Sequence, residues 1–378
     1  MNAFSVLGFV NVFIFNVLSK NEIKPQHLGP FTHISVGATT GVLLFKDKLE
    51  IGVGEVKATL FSALIGAVLG FLPDVDLMNK KIHSTIVYME RHRKWTHSFF
   101  VHIVFSLMIS MVISLIVSAE NFDNTTFIEI ALYCFLILGT HVALDFCTSW
   151  GVYYFYPFKT ALKTKSVSVW DFVVTLLMVA QLLIIAQYVY NKTQGEEVGS
   201  INYIPLILVL TYLIATFLLR LIFIVPKFKE QLAYQKITYY EIEVKPTFFN
   251  AILWTVNVRV KEGYLIGYYS VFQKKKEIEF ISVPINQNLI KYDDPEFLAL
   301  ISRFKKVVSH WYSFSEIAGE LYVNDVRYGY KSPNLNETEF AVPYLITEQK
   351  KGKGLDVVSI IKLKKRWWFY LIKRFFKA

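Results

Sequence analysis

The sequence predicts an α-helical integral membrane bundle of five to seven apolar helices, followed by a small β-rich α+β domain and a basic amphipathic C-terminal helix. Three observations predict it. The chain is 54% hydrophobic and only 19% charged, where soluble domains carry about 25% charged residues. The apolar surplus is concentrated in the first 225 residues as long runs, several near the roughly 20 residues that cross a bilayer as a helix. Beyond residue 235 the texture changes to the period-two alternation of strands.

The clear apolar runs cover 97–118, 127–147, 171–190 and 203–225, with shorter ones at 4–18, 33–46 and 57–72. The run at 4–18 has no basic residue before it and makes a poor signal peptide. Residues 1–31 read as an N-terminal apolar extension to a membrane domain over 32–230. Loop charge alternates: 73–96 carries Lys80, Lys81, Arg91, Arg93 and Lys94, and 148–170 carries Lys159, Lys163 and Lys165 with no acid. The intervening loops hold Glu120 and Asp123, then Lys192 against Glu196 and Glu197. Positive loops remain in the cytoplasm, which puts 73–96, 148–170 and everything after 226 on the inner side of a bacterial-type cytoplasmic membrane. The net charge of +10 then belongs to those loops and to anionic membrane lipid rather than to nucleic acid. Two cysteines, Cys134 and Cys147, exclude a disulfide framework and a four-cysteine zinc site.

A β-rich domain is expected over 235–350. Trp254 to Val260 alternates, Lys261-Glu262-Gly263 turns, and Tyr264 to Phe272 returns as the second strand of a hairpin. A strand at 277–284, a helix near 294–310 opened by Asp293, Asp294 and Pro295, and short strands over 320–347 follow. Residues 355–378 read as a basic aromatic helix, with Lys365, Arg366, Lys373 and Arg374 among Trp367, Trp368, Phe375 and Phe376, suited to the membrane interface.

The polar residues of the membrane domain gather at one level. His33 opens the second run; Asp74 and Asp76 close the third; His92 and His97 flank the start of the fourth; His141 and Asp145 end the fifth. His141 and Asp145 are spaced i, i+4 and share a helix face. An ionisable residue at mid-bilayer costs at least about 2.5 kcal/mol unless paired or hydrated, and a divalent cation offsets that cost for several groups together. Imidazole with carboxylate suits Zn, Mn or Fe. Asp-X-Asp supplies two hard oxygens close together, as a second ion or a bridging carboxylate needs. Blander roles compete for each residue: Asp-X-Asp after a proline also ends a helix, and Arg91, Arg93 and Lys94 also serve as topogenic charge. His27, His83, His102 and His310 are set aside as interfacial or helix-lining residues, and Cys147 as a packed thiol. Ser98 and Thr148 are alternative nucleophiles, without a Gly-X-Ser-X-Gly elbow to support them.

Thr32-His33, Leu72-Pro73-Asp74-Val75-Asp76, His92-Arg93-Lys94-Trp95-Thr96-His97-Ser98 and the stretch His141 to Gly151, followed by Pro157-Phe158, resemble the YdjM/YfhP-type family of membrane-bound predicted metal-dependent hydrolases. Trp170-Asp171, Lys245 to Asn250 and Trp254 are similar to longer members with an added C-terminal domain. The resemblance implies metal ligation by His33, Asp74, Asp76, His92, His97, His141 and Asp145. It implies supporting or substrate-binding roles for Arg93, Lys94, Thr96, Ser98, Thr148 and Asp171. Lys94 departs from the small glycine common after His-Arg, which raises the question of a changed loop.

The expected function is a membrane-bound hydrolase that uses one or two divalent ions at the cytoplasmic interface on a phosphoester or lipid-linked substrate. Asp76 or Asp74 is its candidate general base, and Arg93 its candidate anion-binding group. The rival is a non-enzymatic membrane protein with a regulatory or metal-sensing role.

Overall fold

The computed structural model describes residues 28–78, 84–117, 124–168, 171–247, 250–273, 277–290, 294–330, 340, 342–348 and 355–359. The run at 4–18, His27, His83, Trp170, Phe248, Phe249, Asp293 and the basic aromatic stretch Lys365 to Ala378 lie outside the described residues.

The membrane part begins with a tight hairpin of α1 (Leu28–Val53) and α2 (Glu55–Phe71), turned at Gly54 with φ 79°. Glycines set the closeness of that pair. A Cβ on Gly37 would stand 2.4 Å from the Gly66 carbonyl oxygen, and one on Gly70 would stand 2.5 Å from that of His33. The backbones therefore touch, as small-residue spacings permit between membrane helices. This contact sets His33 beside the end of α2. A 3-10 turn, Leu72–Met78, continues α2 and carries Asp74 and Asp76.

Four helices follow: α3 (Thr85–Arg91), α4 (Phe99–Val117), α5 (Asn124–Cys147) and α6 (Phe172–Thr193). Then α7 (Ile204–Leu219) passes through a π turn at Arg220–Ile224 into α8 (Val225–Tyr234). Leu64, Val68, Met111, Leu115, Ile207 and Ile214 are exposed and present apolar faces to lipid, while Phe45, Leu69, Cys134, Ile137 and Leu138 fill the interior.

The helix count is smaller than the sequence suggested. Among the described residues four helical stretches are long and apolar enough to span: Glu55–Asp76, Thr126–Cys147, Phe172–Thr193 and Ile204–Tyr234. α4 is apolar over the shorter Phe99–Leu115. α1 contains the run at 33–46, but its last turns carry Lys46, Asp47, Lys48 and Glu50. Two of these charges are paired, Lys46 with Glu55 at 3.1 Å and Lys48 with Glu129 at 2.8 Å. At the far end of the helices Tyr188 and Lys192 join Glu55 in the same polar knot.

The C-terminal domain holds two four-stranded antiparallel sheets. The first is β1 (Glu241–Pro246), β2 (Leu253–Val260), β3 (Gly263–Ser270) and β4 (Phe280–Pro284), with the expected hairpin at β2–β3. The helix α9 (Pro295–Val307), capped by the Asp294 carboxylate, follows. It buries Phe297, Leu300, Ile301 and Phe304, one stripe at helical spacing. The second sheet is β5 (Tyr312–Ile317), β6 (Glu320–Asp325), β7 (Pro343–Glu348) and β8 (Leu355–Ser359). β8 corrects the start of the C-terminal helix expected over 355–378: Leu355–Ser359 pairs with β7, and Val357 is fully buried. Ile86 and Met89 of α3, from the membrane half of the sequence, belong to this domain's core with Phe304, Phe314 and Val357.

Candidate metal centre

The end of α2, the start of α4 and the end of α5 meet below the N-terminal turns of α1, and every ligand candidate from the sequence arrives there. His33, Asp74, Asp76, His97, His141 and Asp145 are buried, and His92 is partly so. Three overlapping groups have donor atoms within 4.8 Å of one another: His33 with His141 and Asp145, Asp74 with His97 and His141, and Asp74 with Asp76 and His92. Asp74 and His141 each belong to two of them.

The ring orientations suit ligation. His141 Nδ1 donates to the Gly70 carbonyl at 2.7 Å, so its Nε2 is left as the lone-pair nitrogen, and the backbone acceptor fixes the ring. That Nε2 lies 3.1 Å from His97 Nε2, a contact without a proton to share when both nitrogens carry lone pairs. Asp74 Oδ1 is 3.6 Å from His97 Nε2 and 3.7 Å from His141 Nε2. Asp145 Oδ2 lies 3.4 and 3.8 Å from the same nitrogens, and His33 Nε2 is 3.5 Å from Asp145 Oδ1. The rings of His33 and His141 stack with centroids 3.7 Å apart. Asp145 Oδ2 and His33 Nδ1 are buried without a hydrogen-bond partner among the described residues. Buried orphans cost about 1–3 kcal/mol each. Hard oxygens and imidazole nitrogens left this way fit a borderline divalent ion, and the residues present fit the group the sequence implied.

The remaining candidates separate by position. Asp76 accepts from His92 Nδ1 at 3.1 Å, the Arg93 backbone N–H at 3.3 Å and Thr96 Oγ1 at 3.4 Å. Thr96 Oγ1 also meets His97 Nδ1 at 3.1 Å, which orients that ring. Arg93 has φ 62°, a left-handed backbone that a bulky side chain adopts only when its surroundings hold it there. Its guanidinium pairs with Asp145 Oδ1 at 2.7 Å and donates to Thr148 Oγ1 at 2.8 Å and the Gly151 carbonyl at 3.3 Å. Arg93 thus orients Asp145 and leaves Oδ2 turned to the cluster. Arg93 takes the left-handed position of this loop, and Lys94 Nζ lies 5.3 Å over the Tyr153 ring. Ser98 Oγ donates to the Trp95 carbonyl at 2.8 Å and accepts from Val101 N–H at 3.4 Å, closing the first turn of α4. Asp171 Oδ1 accepts the Val173 and Val174 N–H groups at the start of α6, and its Oδ2 accepts from Tyr212 at 2.8 Å.

A cavity of about 180 Å³ opens onto the cluster. His33, Asp74, His92, Arg93, Asp145 and Thr148 line its polar end, and Leu144, Val167, Val174 and Leu213 line its apolar wall. Tyr88 lines it too and stacks on His92 at 4.9 Å. Burial pushes the Tyr88 phenol above its usual range. The sequence reading passed over Tyr88. Its spacing four residues before His92 was the available signal. The Gly70 and Gly151 carbonyls carried none, since a backbone acceptor has no residue type. His102, fully buried, has both ring nitrogens without partners among the described residues and belongs to none of the three groups.

The model of the YdjM inner membrane protein family matches residues 28–223. The chain belongs to that family. The match ends in the π turn, so the YdjM-type part contains the whole polar cluster and excludes both β-sheets. No curated protein and no solved structure matches the chain.

Proposed function

We propose that this YdjM-family protein is a metal-dependent hydrolase of a phosphoester carried by a membrane lipid, acting at the cytoplasmic face with one or two Zn, Mn or Fe ions. The observation that carries the reading is the overlap of the three ligand groups at Asp74 and His141, which allows a shared carboxylate between neighbouring ions. Bound there, such ions would supply Lewis acidity and lower the pKa of water. Hydrolysis forms one phosphorus–oxygen bond to water, breaks the ester bond, and passes a proton to the leaving alcohol. Asp74 lines the cavity and takes the water's proton only through an oxygen that holds no ion, whereas Asp76 is turned toward His92, Arg93 N–H and Thr96. Arg93 lines the same cavity, and its guanidinium charge suits a phosphate.

Two features support a lipid. The apolar wall comes from α5, α6, α7 and the segment before α6, at the level of the lipid-facing helices. The volume of about 180 Å³ is below the roughly 300–1,000 Å³ of pockets that enclose a whole small ligand. Only a head group enters, and the rest of the molecule stays in the bilayer.

The test is metal content of detergent-purified protein by ICP-MS, beside His97→Ala and Asp145→Ala, followed by phosphate release from phosphatidate vesicles. Metal in the wild type that both variants lose, together with phosphate release, supports the proposal. Metal without release favours the sensing role, and no metal after remetallation overturns both.

A further inference from the structure

Among the described residues the C-terminal domain belongs to none of the three ligand groups, yet its core reaches the two loops that flank the cluster. One is the segment leading into His92 and Arg93. Asp356 of β8 caps α3, accepting Thr85 N–H at 2.6 Å and Ile86 N–H at 3.1 Å. Arg303 of α9 holds Glu90 with a two-pronged pair at 2.8 and 2.7 Å. Ile86 and Met89 are buried in the domain's core. So α3, directly before His92, is held at its start, middle and end.

The other loop follows α5. Trp150, two residues after Thr148, packs on the same core and donates its indole N–H to the Tyr328 hydroxyl. The Arg327 guanidinium lies 4.8 Å over the Trp150 ring, fixed by Asp325 at 2.9 and 2.6 Å. Behind them, Lys245 Nζ sits 3.7 Å from the Tyr328 ring centroid, and Glu243 of β1 pairs with Lys165 on the loop's return leg at 2.7 Å. The two loops are in turn joined to each other. Tyr153 N–H donates to the Arg93 carbonyl at 3.0 Å, and Phe99 N–H to the Tyr154 carbonyl at 2.7 Å. Arg93 closes the junction through Thr148 and Gly151.

We infer that the C-terminal domain is a positioning part of the centre: by gripping α3 and Trp150 it holds Arg93 in its left-handed conformation and Asp145 Oδ2 toward the histidines. Tyr328, Asp356 and Arg303 are positioning residues, acting through Trp150 and α3 rather than on any ligand. A partner or modification that loosened this grip would act on the centre from outside the membrane part. The inference stands on the geometry of the cluster, whichever reaction the cluster performs.

Hydrogen exchange by mass spectrometry on the full-length protein in detergent tests it, with Tyr328→Phe, Asp356→Ala and Asp356→Asn beside wild type. Loss of one cap or one buried acceptor is expected to speed exchange in peptides covering 91–98 and 148–156 by about tenfold. Peptides from α5, α6 and α7 remain as in wild type. Asp356→Asn keeps a carbonyl acceptor and restores most of the protection. Mn2+ alone is the second probe, and its affinity is expected to fall about tenfold in Tyr328→Phe. Unchanged exchange in both peptides, with loosening confined to the sheets, overturns the inference, and exchange decides it whether or not Mn2+ binds. Where Asp356→Ala does not fold, Glu90→Arg and Arg303→Glu replace it: each alone loosens 91–98, and failure of the double variant to restore it is the contrary result.

Discussion

Asp74 and Asp76 stand on the same 3-10 turn, but their oxygens meet different neighbours. Asp76 already accepts from an imidazole, a backbone N–H and a hydroxyl. Asp74 faces His97 and His141 at 3.6 and 3.7 Å and belongs to two ligand groups. Asp74→Asn is therefore expected to abolish metal binding, and Asp76→Asn to remove only the part held with His92, read by ICP-MS on matched preparations. A second residue-scale prediction concerns Lys245. Burial lowers its ammonium to about 7 although Glu243 and Asp325 favour the charge. The unfolded chain keeps an ordinary lysine, so between about 7 and 10.5 it binds more protons than the folded chain, and stability rises with pH across that window. Lys245→Met removes that slope and raises the melting temperature most below about 7, where the wild type carries the full cost of a buried charge. Equal slopes in wild type and variant, followed by intrinsic fluorescence on heating, would contradict the assignment.

At the scale of elements, the α1–α2 hairpin delivers His33 and Asp74 to one place because glycines let the backbones touch. A side chain at Gly66 meets the Gly37 carbonyl oxygen at 2.2 Å, and that oxygen belongs to backbone with no rotamer to yield. Gly66→Val should lower stability by at least about 1–3 kcal/mol and lose metal, although residue 66 touches no ligand. Gly139→Ala, on α5 with nothing within 4 Å, should instead gain up to about 1 kcal/mol. A comparison of the two melts in detergent checks the pair. The elements were unequally legible in the sequence. Long apolar runs gave α5, α6 and α7 because nothing else in a protein needs that composition. His141 and Asp145 stood out for the same reason, as ionisable groups inside such a run. α1 was half hidden, since Lys46 and Lys48 break its apolar run and find their partners Glu55 and Glu129 only in three dimensions. β5, Tyr312–Ile317, and β8, Leu355–Ser359, were too short to declare a period. The grip on Trp150 joins residues 178 positions apart, and no local pattern encodes that.

For the whole molecule, the cluster and the C-terminal domain lie at the same end of the helices. α2 and α5 end at the cluster, α4 and α6 begin beside it, and α7 leads through α8 into β1. The opposite end carries Glu55, Tyr188 and Lys192. Sidedness thus reduces to one binary choice, since assigning any one loop assigns the rest. Charge argues for the cluster end as cytoplasmic: Lys159, Lys163 and Lys165 have no acid within 148–170, whereas 191–202 sets Glu196 and Glu197 against Lys192. Single cysteines at Lys159 and at Glu197, both in exposed loop positions, read that choice once Cys134 and Cys147 are replaced by alanine. In bacterial spheroplasts a membrane-impermeant maleimide is expected to label Glu197→Cys at once and Lys159→Cys only after lysis. The reverse pattern would put the cluster outside the cell and replace an inner-leaflet lipid by an outer-leaflet one, with the metal geometry untouched. Labelling of both before lysis would break the common orientation of the helices and with it the convergence of Asp74, His97 and Asp145.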